Sequence, residues 1–156
     1  MKKIVLGIAV LLMVMIPPQT VGKNTDIERS SLDQIINITV SETWDMLSAE
    51  EGIQFVIDDR TFEEYFDERI DTPHRNDKPI LYPLQLLGQP FFLNLFITIF
   101  QNKDIIIYCR SANRSWIGAN LLVDNGFQGV VYNMAGGINA WKVEGFPTVK
   151  GLGFGA

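Results

Sequence analysis

The chain has 156 residues, with 18 acids against 13 bases and a formal charge of −5. Its first 22 residues hold two lysines and no acid, so the remainder carries −7 without any basic block, which argues against nucleic acid as a partner. A single cysteine excludes an internal disulfide, and the length suits one domain held by its apolar core.

Residues 1–22 read as an export segment. Lys2 and Lys3 precede an uncharged run from Ile4 to Ile16, Pro17-Pro18 end it, and the small residues of Thr20-Val21-Gly22 suggest cleavage after Gly22. The run is shorter than the roughly 20 residues of a spanning helix. The protein is therefore expected outside the cytoplasm, periplasmic or extracellular, and meets a membrane only if the segment stays uncut as a tether to its outer face. Residues 23–37 are polar and without period, a flexible lead. The domain is expected over 38–150, with a short tail at 151–156.

Within the domain, Ile38-Thr39-Val40 reads as a strand, and Ser41 as the cap of a helix with Trp44, Met46 and Leu47 on its apolar side, ending near Gly52. Phe55-Val56-Ile57 is a buried strand that stops at Asp58. Thr61 then opens a helix with Glu63 and Glu64 in its first turn, where acids suit the dipole. The polar stretch 71–78 is a loop, and Ile80-Leu81-Tyr82 a short strand. Leu84 to Phe100 is strongly apolar, broken by Gly88 and Pro90, and predicts a helix from Phe91 to Gln101. Its greasy circumference points to burial against a sheet, the alternative being a face that meets membrane or a partner.

Ile105-Ile106-Ile107-Tyr108 is the clearest strand, apolar and uninterrupted as in a central parallel strand covered on both sides. A helix follows from Ser115 to Asn125, with Ala119, Leu122 and Val123 inward and Gly126 as a left-handed cap. Val130-Val131-Tyr132 is the next strand, Gly136-Gly137 a turn, and Ile138 to Val143 a short helix. Alternating strands and helices predict an α/β fold with a mostly parallel sheet.

Between the central strand and its helix lies Cys109-Arg110-Ser111-Ala112-Asn113-Arg114-Ser115, where open α/β sheets place their ligand crevice. A tight loop entering a helix presents backbone N–H groups and the positive end of the dipole to an anion. Cysteine reacts as the thiolate, which such surroundings and neighbouring arginines favour. The plainer alternatives are a buried cysteine acting as apolar filler and arginines that are ordinary surface charges.

This loop resembles the active-site loop of rhodanese-like domains, commonly Cys-Arg-Ser-Gly-Asn-Arg-Ser, and agrees with it at six of seven positions. Asp58-Asp59-Arg60 with Glu64-Tyr65 looks like the family's Asp-x-Arg followed by Glu-aromatic, and Gly136-Gly137-Ile138-Asn139-Ala140-Trp141 like its Gly-Gly-x-x-x-Trp. The resemblance implies about five parallel strands with helices on both faces, and a single-domain sulfurtransferase that relays sulfur through a Cys109 persulfide. It implies no metal or organic cofactor. Partners would be a small anionic sulfur donor such as thiosulfate and a thiol or protein acceptor. The N–H groups from Arg110 to Ser115 would hold the persulfide's charge, with Arg110 and Arg114 drawing in the donor. Asp58, Arg60, Gly136, Gly137 and Trp141 read as scaffold, and His74 has no second ligand candidate near it in sequence.

Two departures stand out: Ala112 replaces the usual glycine, and Glu68-Arg69-Ile70-Asp71-Thr72-Pro73 replaces Gly-His-Ile-Pro-Gly-Ala. The rival readings are a non-catalytic rhodanese-like binding or sulfur-carrier module, and a cysteine phosphatase or arsenate reductase. The latter carry Cys-x5-Arg, whereas four residues separate Cys109 from Arg114 here.

Overall fold

The computed structural model describes residues 34–49 and 55–152. Five strands form a parallel sheet in the order β1-β6-β5-β2-β4: β1 Ile35–Ile38, β2 Phe55–Asp58, β4 Ile80–Leu81, β5 Ile105–Tyr108 and β6 Val131–Met134. Two short strands, β3 Arg69–Ile70 and β7 Thr148–Val149, pair antiparallel beside it. The helices are α1 Val40–Ser48, α2 Phe62–Asp67, α3 Leu84–Leu87, α4 Pro90–Phe100, α5 Asn113–Asp124 and α6 Gly137–Val143, with a 3-10 turn at Arg75–Asp77.

Strand β5 explains the layering. All four of its residues are buried. Ile105 and Ile107 pack with Leu93, Phe96 and Phe100 of α4 and Ala119 and Leu122 of α5, while Ile106 and Tyr108 pack with Leu47 of α1 and Ile138 and Trp141 of α6. Period-two alternation thus feeds two separate cores, one on each face.

The first strand lies three residues earlier than the sequence predicts, at Ile35–Ile38, inside the stretch expected to be a flexible lead. Capping is the reason. Thr39 Oγ1 accepts from the Glu42 N–H at 3.1 Å, and the Glu42 carboxylate accepts from the Thr39 N–H at 2.7 Å. This reciprocal box makes Thr39, not Ser41, the cap and turns Val40 into the first helical residue. The helix ends at Ser48, before the expected Gly52, which falls outside the described residues, as do residues 1–33.

Helix α4 packs against the sheet, as expected, but on one side only. Leu93, Phe96 and Phe100 are buried, but Phe91 is 72% exposed and Ile99 52%, with Leu95 and Phe92 also exposed. The helix is an outer layer and touches the sheet along one stripe only, so greasiness on every face does not bring burial on every face. Among the described residues no helix is long and apolar enough to cross a membrane.

Candidate active site

The chemistry-bearing loop starts where β5 ends and closes where α5 begins. Cys109 is 1% exposed, and Ser115 Oγ lies 3.6 Å from its Sγ. The loop is held from outside by its carbonyls: Ile138 N–H donates to Cys109 O at 2.9 Å, Asn139 N–H to Arg110 O at 3.2 Å, and Trp116 N–H to Ala112 O at 3.1 Å. No backbone N–H from Arg110 to Ser115 has an acceptor among the described residues. Unclaimed donors at the N-terminus of a helix such as α5 are groups suited to an anion.

Ala112 takes the left-handed backbone, φ 72°, that the family's glycine adopts freely. Its methyl makes that conformation strained, and the left-handed turn leads the chain from Cys109 into the first turn of α5. Gly136 and Gly137 also have positive φ. At Gly137 an added Cβ would sit 2.3 Å from Cys109 O and 2.6 Å from the Arg110 carbonyl carbon, so glycine is required for α6 to seat against the loop.

The two arginines part company. Arg114 forms a bidentate pair with Glu64 of α2, Nη1 and Nη2 each 2.7 Å from a carboxylate oxygen. That bond pulls the Glu64 carboxyl down to about 2. The patch expected from two free cations is therefore carried by Arg110, which is exposed, while Arg114 clamps the loop to α2. Arg110 lines a cleft of ≈ 260 Å³ with Arg60, Glu64, Ile138, Asn139 and Lys142. Ser111 and Asn113 are exposed on the loop, and Ser115 is buried beneath it.

Asp58 and Arg60 form a buried bridge. Arg60 Nε and Nη2 donate to the two Asp58 oxygens at 2.8 and 2.6 Å, and Tyr108 Oη donates to Asp58 Oδ2 at 2.5 Å. Arg60 Nη2 also donates to Glu68 O at 2.7 Å. The bridge ties the ends of β2 and β5 together directly behind Cys109, and burial pushes the Tyr108 hydroxyl well above its ordinary range. Trp141 is fully buried, with Nε1 donating to Pro147 O at 2.8 Å. These residues sit where scaffold was expected.

Sequence reasoning passed over Asp59, which it read only as the spacer in Asp-x-Arg. Its side chain is fully buried, and neither oxygen has a hydrogen-bond partner among the described residues. The available signal was an acid placed immediately after a buried strand run, where an apolar residue or glycine is ordinary.

A family model described as Rhodanese-like domain matches residues 39–144. A sulfurtransferase of Allochromatium vinosum is 43% identical over 49 residues, covering 31% of this chain and 45% of that protein. An uncharacterized protein of Rickettsia rickettsii is 29% identical over 120 residues, covering 71% of this chain and 94% of the relative. The chain spans less than half the length of two curated relatives it matches, 27% of one and 45% of the other. Among solved structures, a rhodanese-like domain protein from Staphylococcus aureus superposes with a TM-score of 0.55 at 26% identity, over 72% of this chain and 96% of that one.

Proposed function

The chain belongs to the rhodanese-like domain family, and on that premise we propose that it is a sulfurtransferase in which Cys109 accepts a sulfane sulfur from an anionic donor such as thiosulfate and passes it to a thiophilic acceptor. The observation that carries this reading is the loop itself: a lone cysteine at the end of the central strand, followed by six backbone N–H groups with no acceptor among the described residues. The named sulfurtransferase among the relatives supports it.

In the first half-reaction the Cys109 thiolate attacks the outer sulfur of thiosulfate. A bond forms between Sγ and that sulfur, the donor's S–S bond breaks, and its electron pair leaves with sulfite. The persulfide keeps one negative charge, which the loop N–H groups and the Ser115 hydroxyl stabilise without rearrangement. Arg110 at the rim attracts the donor against the protein's net negative field. In the second half-reaction a nucleophile takes the outer sulfur, and Cys109 leaves as the thiolate.

Incubation with thiosulfate and cyanide tests this, since thiocyanate release should vanish in Cys109→Ser. Equal release from both proteins identifies a background reaction and leaves a binding or carrier module as the better reading. The phosphatase alternative is disfavoured because Arg114 is already paired with Glu64 and the ring is one residue short. Hydrolysis of an aryl phosphate by wild type but not by the variant would reverse that judgement. Export is proposed on the character of residues 1–22, and the N-terminal mass of protein from its own cells tests it.

A further inference from the structure

Asp59 is a buried acid that the reaction above leaves without a task. The sheet fixes its place. Asp58 stands opposite Tyr108 in the parallel ladder, and the Asp59 N–H donates to Tyr108 O at 3.1 Å. Asp59 and Cys109 are therefore the next pair along β2 and β5, their Cα atoms about 5 Å apart. Ile57 and Ile107 face the layer of α4 and α5, while Tyr108 belongs to the core on the other face and bonds Asp58 there. Alternation returns Asp59 and Cys109 together to the α5 side.

Helix α5 covers both. Ser115 stands 3.6 Å from the Cys109 sulfur. At Gly118, just under a turn on, an added Cβ would lie 3.5 Å from Asp59 Oδ2, 3.1 Å from Ile107 Cδ1 and 3.3 Å from Leu87 Cδ1. Gly118 thus lets α5 pass close over the Asp59 carboxyl, which lies beside the Ile107 and Leu87 side chains.

Charges near Asp59 cancel. Asp58 and Arg60, at its own strand end, are joined to each other and to Tyr108. Glu64 of α2 and Arg114 of α5 are likewise joined. Both arginines acting on Asp59 are thus paired with other acids, and burial, reinforced by the Asp58 charge and opposed by Arg114 and Arg60, pushes the Asp59 carboxyl up to about 8. The neighbouring sulfur has a hydroxyl beside it and unclaimed N–H groups in its loop, whereas the carboxyl has no donor among the described residues.

We propose that Asp59 is a positioning residue for Cys109: it holds a proton beside the nucleophile, so that the reacting thiolate has no second negative charge next to it, and its ionisation closes the site to anionic donors. Through both half-reactions Asp59 keeps that proton, so the site carries a single negative charge as thiolate and as persulfide. Above about pH 8 the proton passes to solvent, and a second negative charge then repels a dianionic donor. The inference takes its donor class from the sulfurtransferase reading, but its test does not use that reaction.

Cys109 is the chain's single cysteine, so alkylation of the full-length protein reports on it alone. The quantity to measure is the rate with anionic iodoacetate divided by the rate with neutral iodoacetamide, from neutral to alkaline pH. In wild type the ratio should fall about ten-fold as a second charge appears nearby, with a midpoint near the Asp59 value of about 8. In Asp59→Asn it should stay flat. A flat ratio in wild type, or the same fall in the variant, overturns the proposal. A second readout needs no variant: the infrared band of a protonated carboxyl should be present in wild type at neutral pH and disappear with the same midpoint. Its absence at neutral pH overturns the proposal even if Asp59→Asn does not fold. Alkylation as described without thiocyanate release would sink the sulfurtransferase reading alone, and thiocyanate release with a pH-independent ratio would sink this one alone.

Discussion

Ala112 and Asp59 are each held in a state their residue type resists, and both states can be measured. Replacing Ala112, at φ 72°, by glycine removes the clash of the methyl but adds freedom to the unfolded chain. The net expectation for Ala112→Gly is a gain of about 0.5–1 kcal/mol, read as a raised denaturation midpoint at unchanged slope. For Asp59 the folded chain holds a proton up to about pH 8 that the unfolded chain releases near its ordinary 3.8. The stability linked to that proton is fully present below the unfolded value and is lost as pH rises to the folded one, a change on the order of several kcal/mol. The Asp59→Asn variant should therefore gain on wild type as pH goes from 5 to 8, and a constant difference in midpoint across that range would contradict the buried acid. Both residues are plain in the sequence. The strain at Ala112 follows from the glycine it replaces, but the isolation of Asp59 depends on Gly118 and on Glu64 taking Arg114, and those meet only in the folded chain.

At the scale of elements, the site is made by the seating of α6 on the loop after β5. Two N–H groups at the start of α6 hold the Cys109 and Arg110 carbonyls at 2.9 and 3.2 Å, and Gly137 permits the approach. Gly137→Ala should shift the loop, lowering the alkylation rate of Cys109 at least about ten-fold and costing about 2–4 kcal/mol. Gly126→Ala is the comparison, since Gly126 has φ 86° but open space around it. It should lose only about 1–2 kcal/mol and leave Cys109 reactivity unchanged. Equal effects of the two substitutions would mean that close contact at Gly137 is unimportant. The strands β2, β5 and β6 were legible because each begins in a short run of β-branched and aromatic residues. The position of β1 was not, because the Thr39–Glu42 box decides where the helix starts and an isoleucine-rich stretch fits either register. The outward face of α4 was hidden for a similar reason: apolarity on all sides of a helix does not say which side the sheet takes.

The whole molecule places its single cysteine sulfur at the carboxyl end of the middle strand of a five-stranded parallel sheet, in a chain of negative net charge. Alternating elements made that architecture readable from the sequence, and the loop motif marked Cys109 as the candidate nucleophile. The pairing of Arg114 with Glu64, 50 residues away, was not. It leaves Arg110 as the exposed arginine of the loop, a tertiary arrangement with no local signature. The central claim is that Cys109 stores sulfur. Mass spectrometry of the full chain after thiosulfate treatment and removal of the reagent tests it most directly. The account requires one added sulfur atom on Cys109, lost on addition of cyanide and never formed in Cys109→Ser. An unmodified Cys109 after saturating thiosulfate would contradict it.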